Sequence, residues 1–554
     1  MAFNKQAESK KPNFLVIVAD DLGWSDVSPF GSEIHTPNIE RLAKEGVRLT
    51  NFHTASACSP TRSMLLSGTD NHIAGLGQMA ETVRRFSKVW GGKPGYEGYL
   101  NDRVAALPEI LQEAGYYTTM SGKWHLGLTP DRYPSKRGFK ESFALLPGGG
   151  NHFAYEPGTR ENPAVPFLPP LYTHNHDPVD HKSLKNFYSS NYFAEKLIDQ
   201  LKNREKSQSF FAYLPFTAPH WPLQSPKEYI NKYRGRYSEG PDVLRKNRLQ
   251  AQKDLGLIPE NVIPAPVDGM GTKSWDELTT EEKEFSARTM EVYAAMVELL
   301  DLNIGRVIDY LKTIGELDNT FVIFMSDNGA EGSVLEAIPV LSTKPPVKYF
   351  DNSLENLGNY NSFIWYGPRW AQAATAPSRL SKGFITEGGI RCPAIIRYPP
   401  LIKPDIISDE FVTVMDILPT ILELAEVPHP GHKFQGRDVV IPRGKPWIDH
   451  FVHGKPVHKD TDFSGWELFG QRAIRKGNYK AIYVPKEGIK TEWELYDLSQ
   501  DKGELENLAK VHPDILNELI EYWLVYEAET GVVTAPDDFV AENVGLFKPA
   551  KHNL

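Results

Sequence analysis

The sequence predicts an α/β fold, one large sheet flanked by helices with a smaller α+β unit after it, and three observations carry that prediction. Continuous β-branched and apolar runs, Asn13 to Ala19, Phe210 to Pro215 and Phe321 to Met325, read as strands buried on both faces, the habit of parallel strands. Helical patterns alternate with them, such as Pro37 to Glu45 with Ile39, Leu42 and Ala43 on one face and Gly46 as its stop. Beyond about residue 450 the alternation ceases. There Phe469 to Val484 and Glu494 to Leu498 read as antiparallel strands, and His512 to Glu527 as a closing helix. The expected division is a large unit over residues 1–450 and a small companion over 451–554.

Bulk composition narrows the class. With 40% apolar and 24% charged residues in 554, the chain is an ordinary globular one, long enough for a large core. A net charge of −10 argues against nucleic acid as the main partner, which demands a basic face. Two cysteines cannot form a disulfide framework and suit a reducing compartment. The stretch Met1 to Pro12 is polar, and the run from Phe14 to Ala19 is too short for a secretory signal, so the expectation is a cytoplasmic protein without a membrane partner.

In order along the chain, Val47 to Phe52 returns as a strand, and Pro60 suits the first residue of a new helix, where its missing N–H costs nothing. Cys58 then lies at a helix N-terminus, in a field that favours negative charge. A helix over Val104 to Glu113, stopped by Gly115, and a strand over Tyr116 to Met120 repeat the βαβ alternation. Residues 128–190, rich in Pro, Gly, His and Asn, read as a long excursion. The strand ending at Pro215 leads to His220, whose backbone is fixed by Pro219 and Pro222. Thr279 and Glu282 form a capping box for a long helix with its core stripe at Tyr293, Met296, Leu300, Ile304, Val307, Ile308 and Leu311. After an aromatic-rich insertion over 331–380, Ser381-Lys382-Gly383 and Glu387 to Arg391 lead into a strand over Pro393 to Arg397 and a helix over Asp416 to Ala425.

Two of the buried strands end in acids, Asp20 and Asp21 after the first, Asp327 and Asn328 after the other. In open α/β sheets that end of the strands is where ligands sit. The donors are all oxygens, suited to a hard cation, Ca²⁺ more than Mg²⁺, with no soft or imidazole ligand for zinc. Taken alone, Asp20 and Asp21 also fit a turn or a helix cap, and His220 an ordinary loop histidine. Cys392, at a strand start, reads as an inert buried thiol.

Cys58-Ser59-Pro60-Thr61-Arg62, running on to Ser67-Gly68, resembles the core signature of the type I sulfatases, with Ser67 in place of the usual threonine. Gly115 to Thr118 followed by Gly122-Lys123-Trp124-His125-Leu126-Gly127 is similar to that family's second signature, and Trp493 to Leu498 with Glu506-Asn507-Leu508 to its C-terminal strand and turn. The resemblance, closest to bacterial-type arylsulfatases, extends over nearly the whole chain. It implies an alkaline-phosphatase-like fold and hydrolysis of aryl and alkyl sulfate monoesters. It implies that a formylglycine-generating enzyme converts Cys58 to formylglycine, and that one Ca²⁺ is held by Asp20, Asp21, Asp327, Asn328 and the modified Cys58.

The roles implied are these. A hydroxyl of the hydrated aldehyde, deprotonated with help from Asp327, attacks sulfur, and His125 takes the proton of the other hydroxyl as the adduct collapses. Arg62, Lys123 and Lys382 supply positive charge, Arg62 from one turn along the helix of Cys58, where its side chain can support the aldehyde directly, and His220 gives a proton to the leaving oxygen. Lys382 rests on a shorter match and competes with a plain surface lysine. Asn328 stands where the zinc phosphatases of the same superfold would place a histidine, which favours one metal. Two rivals use the same residues: a phosphate or phosphonate ester hydrolase, and a metal- and anion-binding protein with Cys58 unconverted. Phe350, Tyr360, Phe363, Trp365, Tyr366 and Trp370 either wall the leaving-group side of the cleft or pack the insertion onto the domain.

Overall fold

The structure, a computed structural model, describes residues 11–158, 164–165, 168–333, 349–485 and 490–536. The amino-terminal residues 1–10 read above for a targeting segment lie outside the described residues. Eleven strands form the main sheet: β1 Asn13–Ala19, β2 Val47–His53, β3 Tyr117–Lys123, β4 Glu141–Leu145, β5 Tyr172–His174, β6 Asp177–Val179, β7 Phe210–Pro215, β8 Thr320–Ser326, β9 Arg391–Arg397, β10 Ile406–Ser408 and β11 Val412–Thr413. Their order is β10-β2-β9-β8-β1-β7-β3-β4-β5-β6, with β11 also on β2.

The apolar runs are continuous because both faces of the central strands are covered. Leu15, Ile17 and Ala19 of β1 join one core, and Phe14, Val16 and Val18 the other. Strand β8 divides likewise, Val322 and Phe324 to one side and Phe321, Ile323 and Met325 to the other. The long helix Thr280–Thr313, opened by the Thr279 and Glu282 capping box, covers the first face. Helices Cys58–Ser67, Leu107–Glu113 and Ile417–Leu424 cover the second. Each large apolar side chain so buried contributes about 1.5–3 kcal/mol, and a single polar replacement in β1 would forfeit that and add an unpaired group.

Strands β8, β1, β7 and β3 run parallel and adjacent, so their carboxyl ends open on one place. Strand β9 is antiparallel to both β8 and β2, which makes the sheet mixed. Because β9 runs the other way, the chain segment just before it, not after it, reaches that same end.

The excursion over 128–190 adds β4, β5 and β6 to the sheet edge, strands too short to show a period in the sequence. Strand β3 also runs past Met120 to Lys123, so the second signature lies mostly on a strand. A two-stranded ribbon, β12 Lys433–Phe434 and β13 Arg437–Asp438, precedes a second sheet of β14 Phe463–Leu468, β15 Gln471–Lys476, β16 Tyr479–Tyr483 and β17 Glu494–Asp497. The stretch Phe469 to Val484 holds two antiparallel strands, turned at Gly477, and β14 precedes them beyond the strands expected from the sequence. Helix Pro513–Thr530 packs on this antiparallel sheet through Leu519, Trp523 and Tyr526. Among the described residues, no helix is long and apolar enough to cross a membrane.

Candidate active site

Strand β2 leads through Ala57, an extended N-cap, into helix Cys58–Ser67, all ten residues of which are buried. The helix lacks an amphipathic pattern because it has no solvent face, and Ser63 and Ser67 satisfy their hydroxyls on Pro60 O and Ser63 O. Cys58 thus sits at the helix N-terminus as expected, though the helix begins two residues ahead of Pro60. Its Sγ lies 3.6 Å from Asp21 Oδ1. Burial pushes the thiol well above its ordinary pKa, against the pull of Lys123 and Lys382, so as cysteine it is a neutral, unreactive group.

Around Cys58 the strand ends converge. Asp20 and Asp21 follow β1, and Asp21 adopts a left-handed backbone, φ 66°, that turns its carboxylate into the site. Asp327 and Asn328 follow β8. One donor atom each from Asp20, Asp21, Cys58 and Asp327 lies within 4.8 Å of the others, and all four residues are buried. Arg62 sends Nε and Nη2 to Asp327 Oδ2, and Nη1 to the Lys123 carbonyl. Its guanidinium therefore braces Asp327, where the sequence had suggested direct support of the group at Cys58.

The cations are held by the same carboxylates. Lys123 Nζ donates to both oxygens of Asp20, at 2.7 and 2.8 Å. Lys382 Nζ lies 2.8 Å from Asp21 Oδ2 and 3.0 Å from Glu331, which removes the surface-lysine alternative. His220 donates from Nδ1 to the Trp221 carbonyl at 2.6 Å, leaving Nε2 3.4 Å from Asp21. Burial holds this imidazole well below its ordinary pKa, although Asp21 favours the charged form. His125, also at positive φ, has both ring nitrogens buried without a hydrogen-bond partner, with Glu81 Oε2 at 3.6 Å from Nε2.

Whether these residues suit a cation is decided by what they leave uncompensated. Burial raises Asp20 to about 8 despite Lys123, with Asp327 and Asp21 adding to the repulsion. The amide oxygen of Asn328 is buried and has no partner, while its Nδ2 donates to Asp21. Three crowded carboxylates and a spare carbonyl oxygen are the donor set of a hard divalent ion, and the residues fit one.

Several neighbours escaped the sequence reading. The loop Pro147-Gly148-Gly149-Gly150 lies flat against both histidines: a Cβ on Gly148 would stand 2.6 Å from His125 Cε1, and one on Gly149 3.2 Å from His220 Cε1. The glycine run was the signal, but it had been absorbed into the excursion. His152 donates from Nε2 to the His220 carbonyl and accepts at Nδ1 from Ser189, so it fixes the loop that carries His220. Glu81 and Glu331 bore no local signal.

The six aromatic residues of the insertion divide. Phe350, Phe363 and Trp365 cluster with Trp221, Val165 and Leu168, and the Trp221 ring lies 4.6 Å from that of His220. Tyr366 and Trp370 instead pack in the core, on Tyr293 and on Tyr237 and Trp275. Tyr360 stays exposed against Tyr155. Cys392 is buried beside the Thr54 hydroxyl, away from the cluster of donors.

The family model for sulfatases matches residues 12–427, and one described as N-sulphoglucosamine sulphohydrolase, C-terminal, matches 379–522. An arylsulfatase of Klebsiella aerogenes is 38% identical over 76% of this chain and 88% of its own. Human N-acetylgalactosamine-6-sulfatase is 27% identical over 76% of this chain and 63% of its own. Among solved structures, Ps i-CgsB in complex with k-i-k-neocarrahexaose superposes with a TM-score of 0.66 at 22% identity, covering 96% of this chain and 94% of that one. A structure holding D-glucosamine-2-N,6-O-disulfate reaches 0.61 at 21% identity, over 96% and 100%. At such identities the structural likeness speaks for the fold alone.

Proposed function

Because this chain belongs to the sulfatase family, we propose that it hydrolyses aryl and alkyl sulfate monoesters, with Cys58 matured to formylglycine and one Ca²⁺ in its site. The observation that carries the reading is the position of Cys58, buried at a helix N-terminus and enclosed by Asp20, Asp21 and Asp327 with Lys123 and Lys382 beside them. An unmodified thiol has no use for such surroundings. A formylglycine-generating enzyme would be the maturation partner, and the reading takes residues 1–450 as the catalytic domain and 451–554 as its companion.

Asp20, Asp21, Asp327 and Asn328, with the group at Cys58, would hold the cation, which supplies positive charge to the ester oxygens and to the attacking hydroxyl. The hydrated aldehyde supplies that hydroxyl and a second one, whose loss of a proton lets the sulfate depart. The chain's own side chains do the rest. Asp327, fixed by Arg62 on Oδ2 and by the Asp21 N–H on Oδ1, takes the proton of the nucleophile. Lys123 and Lys382 meet the non-bridging oxygens as charge gathers in the transition state. His125, which burial holds below its ordinary pKa against the nearby Glu81, accepts the second proton. An anionic ester beside His220 favours its protonated form, from which Nε2 serves the leaving oxygen.

The preference for an apolar alcohol rests on the Trp221, Phe363 and Trp365 cluster that continues from His220. Turnover of nitrophenyl sulfate, nitrophenyl phosphate and a phosphonate monoester tests the reaction. Faster cleavage of either phosphorus ester would transfer the assignment to that chemistry, and a peptide mass map over Cys58 unconverted in active protein would remove formylglycine from it. Sulfated monosaccharides serve as the competing leaving groups: preference for them over aryl sulfates would overturn the choice of alcohol.

A further inference from the structure

The β14–β15 hairpin of the second sheet ends against the segments that carry Cys58 and Lys382. Leu468 pairs with Gln471, leaving Phe469 and Gly470 as a two-residue turn, both at positive φ, 55° and 79°. Such a turn matches the twist of a hairpin but calls for Asn or Gly first, because a bulky side chain rarely adopts that backbone. Phe469 holds it while 3% exposed, packed with Leu468 on Ala57, the residue before Cys58. Glu467 braces the turn, accepting from Gly470 N, Gln78 and His72.

The next residue touches the other side of the site. Gln471, fully buried, donates from Nε2 to the Gly383 carbonyl at 2.7 Å, and its Oε1 accepts from Ile385 N at 3.3 Å. These two backbone groups flank Phe384, two residues beyond Lys382. The same loop is tied to Ser56 O through Gly383 N and to Ala330 O through Lys382 N. Three separate parts of the chain therefore fix the stem from which Lys382 reaches Asp21. Of the three, only the hairpin comes from the second sheet; it meets the Lys382 loop through Gln471 and Ala57 through Phe469, alongside the direct bond from Gly383 N to Ser56 O.

We infer that Gln471 is a positioning residue for Lys382, and that the β14–β15 turn registers the Lys382 loop against the helix of Cys58. The inference rests on the reading of Lys382 as a group that meets the sulfate. A side chain that merely stabilised the fold would not need a strained turn to reach two amides of one loop. One that positions Lys382 must lose its effect on turnover once Lys382 is gone.

The test is a double-mutant cycle on nitrophenyl sulfate. Gln471→Met, which keeps the shape and removes both hydrogen bonds, should lower kcat/KM by about 10–100-fold, the scale of a misplaced catalytic group. In a Lys382→Ala background it should cost less than about 2-fold. Gln471→Glu, which keeps the length and the acceptor for Ile385, is the second variant should the first not fold, with the same non-additivity expected. Ile482→Val, a core change in the same sheet, should lower Tm without that dependence on Lys382. Full activity of Gln471→Met, or an equal loss in both backgrounds, overturns the inference. Backbone hydrogen exchange decides independently of turnover: protection over residues 382–385 should fall in Gln471→Met, and unchanged protection sinks the proposal. Should the wild type cleave no sulfate ester, the function assigned above falls while the exchange result still decides the positioning.

Discussion

Two nitrogens of Arg62, Nε at 3.0 Å and Nη2 at 2.7 Å, converge on a single oxygen of Asp327, and both residues are fully buried. Removing the carboxylate would strand a guanidinium in the core. Asp327→Ala is therefore expected to destabilise by about 3–5 kcal/mol, read as a fall in Tm, besides abolishing turnover. Chelation of the wild type should lower Tm with activity, and Ca²⁺ should restore both. Full activity in protein shown by elemental analysis to be free of metal would defeat the metal assignment.

Gly148 offers a test of the loop that covers the histidines. A methyl group there would stand 2.6 Å from His125 Cε1, closer than carbon atoms approach, so the ring must shift. Gly148→Ala is expected to lower kcat about 100-fold with little change in Tm, since a displacement near 1 Å at a reacting group costs about that much. A variant with wild-type kcat would show that His125 tolerates other positions and weaken its place in the proton path.

His72 gives stability a dependence on pH away from the site. Burial alone would depress its imidazole, but Asp70 at 2.8 Å and Glu467 at 2.9 Å outweigh that and raise it to about 9. A group raised in the folded state adds stability that is complete below its unfolded pKa of 6.5 and is lost as pH climbs through the folded value. Between pH 6.5 and about 9 the protein should lose about 3 kcal/mol from this site, and His72→Gln should flatten the decline. Denaturant midpoints across that range check it, and a decline of equal slope in the variant would contradict the assignment.

Cys58→Ser probes the nucleophile by keeping one hydroxyl and removing the means of making two. Arg62, Lys123 and Lys382 remain to support attack at sulfur, so one equivalent of alcohol should be released. The serine sulfate then has no neighbouring hydroxyl to expel it. The expected result is a single-turnover burst and a matching mass gain on the peptide of residue 58. Sustained turnover near the wild-type rate would remove formylglycine from the mechanism.

What could be read in advance was local. Asn13 to Ala19 and Phe321 to Met325 announced themselves because a strand buried on both faces has no polar position, and the acids after them marked the site. Cys58, Arg62, Lys123 and His125 were found through short motifs, and the structure brings them together with His220 and Lys382. Gln471 and His152 were invisible because their partners are Gly383 and His220, whose nearness depends on sheet order and not on any spacing. Strand β14 went unread for a related reason: its side chains face both a domain core and a helix, so Phe463 to Leu468 shows no clean alternation.

The depth of Cys58 sets a timetable. The residue is 1% exposed and its helix has no surface, so an enzyme that oxidises it can reach it only on a chain not yet folded. Strand β8, the neighbour of β1 that completes the acidic cluster, lies far downstream at Thr320–Ser326. At synthesis rates of about 5–20 residues per second, the interval between the two is on the order of tens of seconds. On the proposed function, in which Cys58 is oxidised to formylglycine, maturation and folding would compete for that interval. Cells that make the chain faster than they can oxidise it would accumulate a well-folded, inert fraction, and adding the maturing enzyme to purified protein afterwards would not recover it.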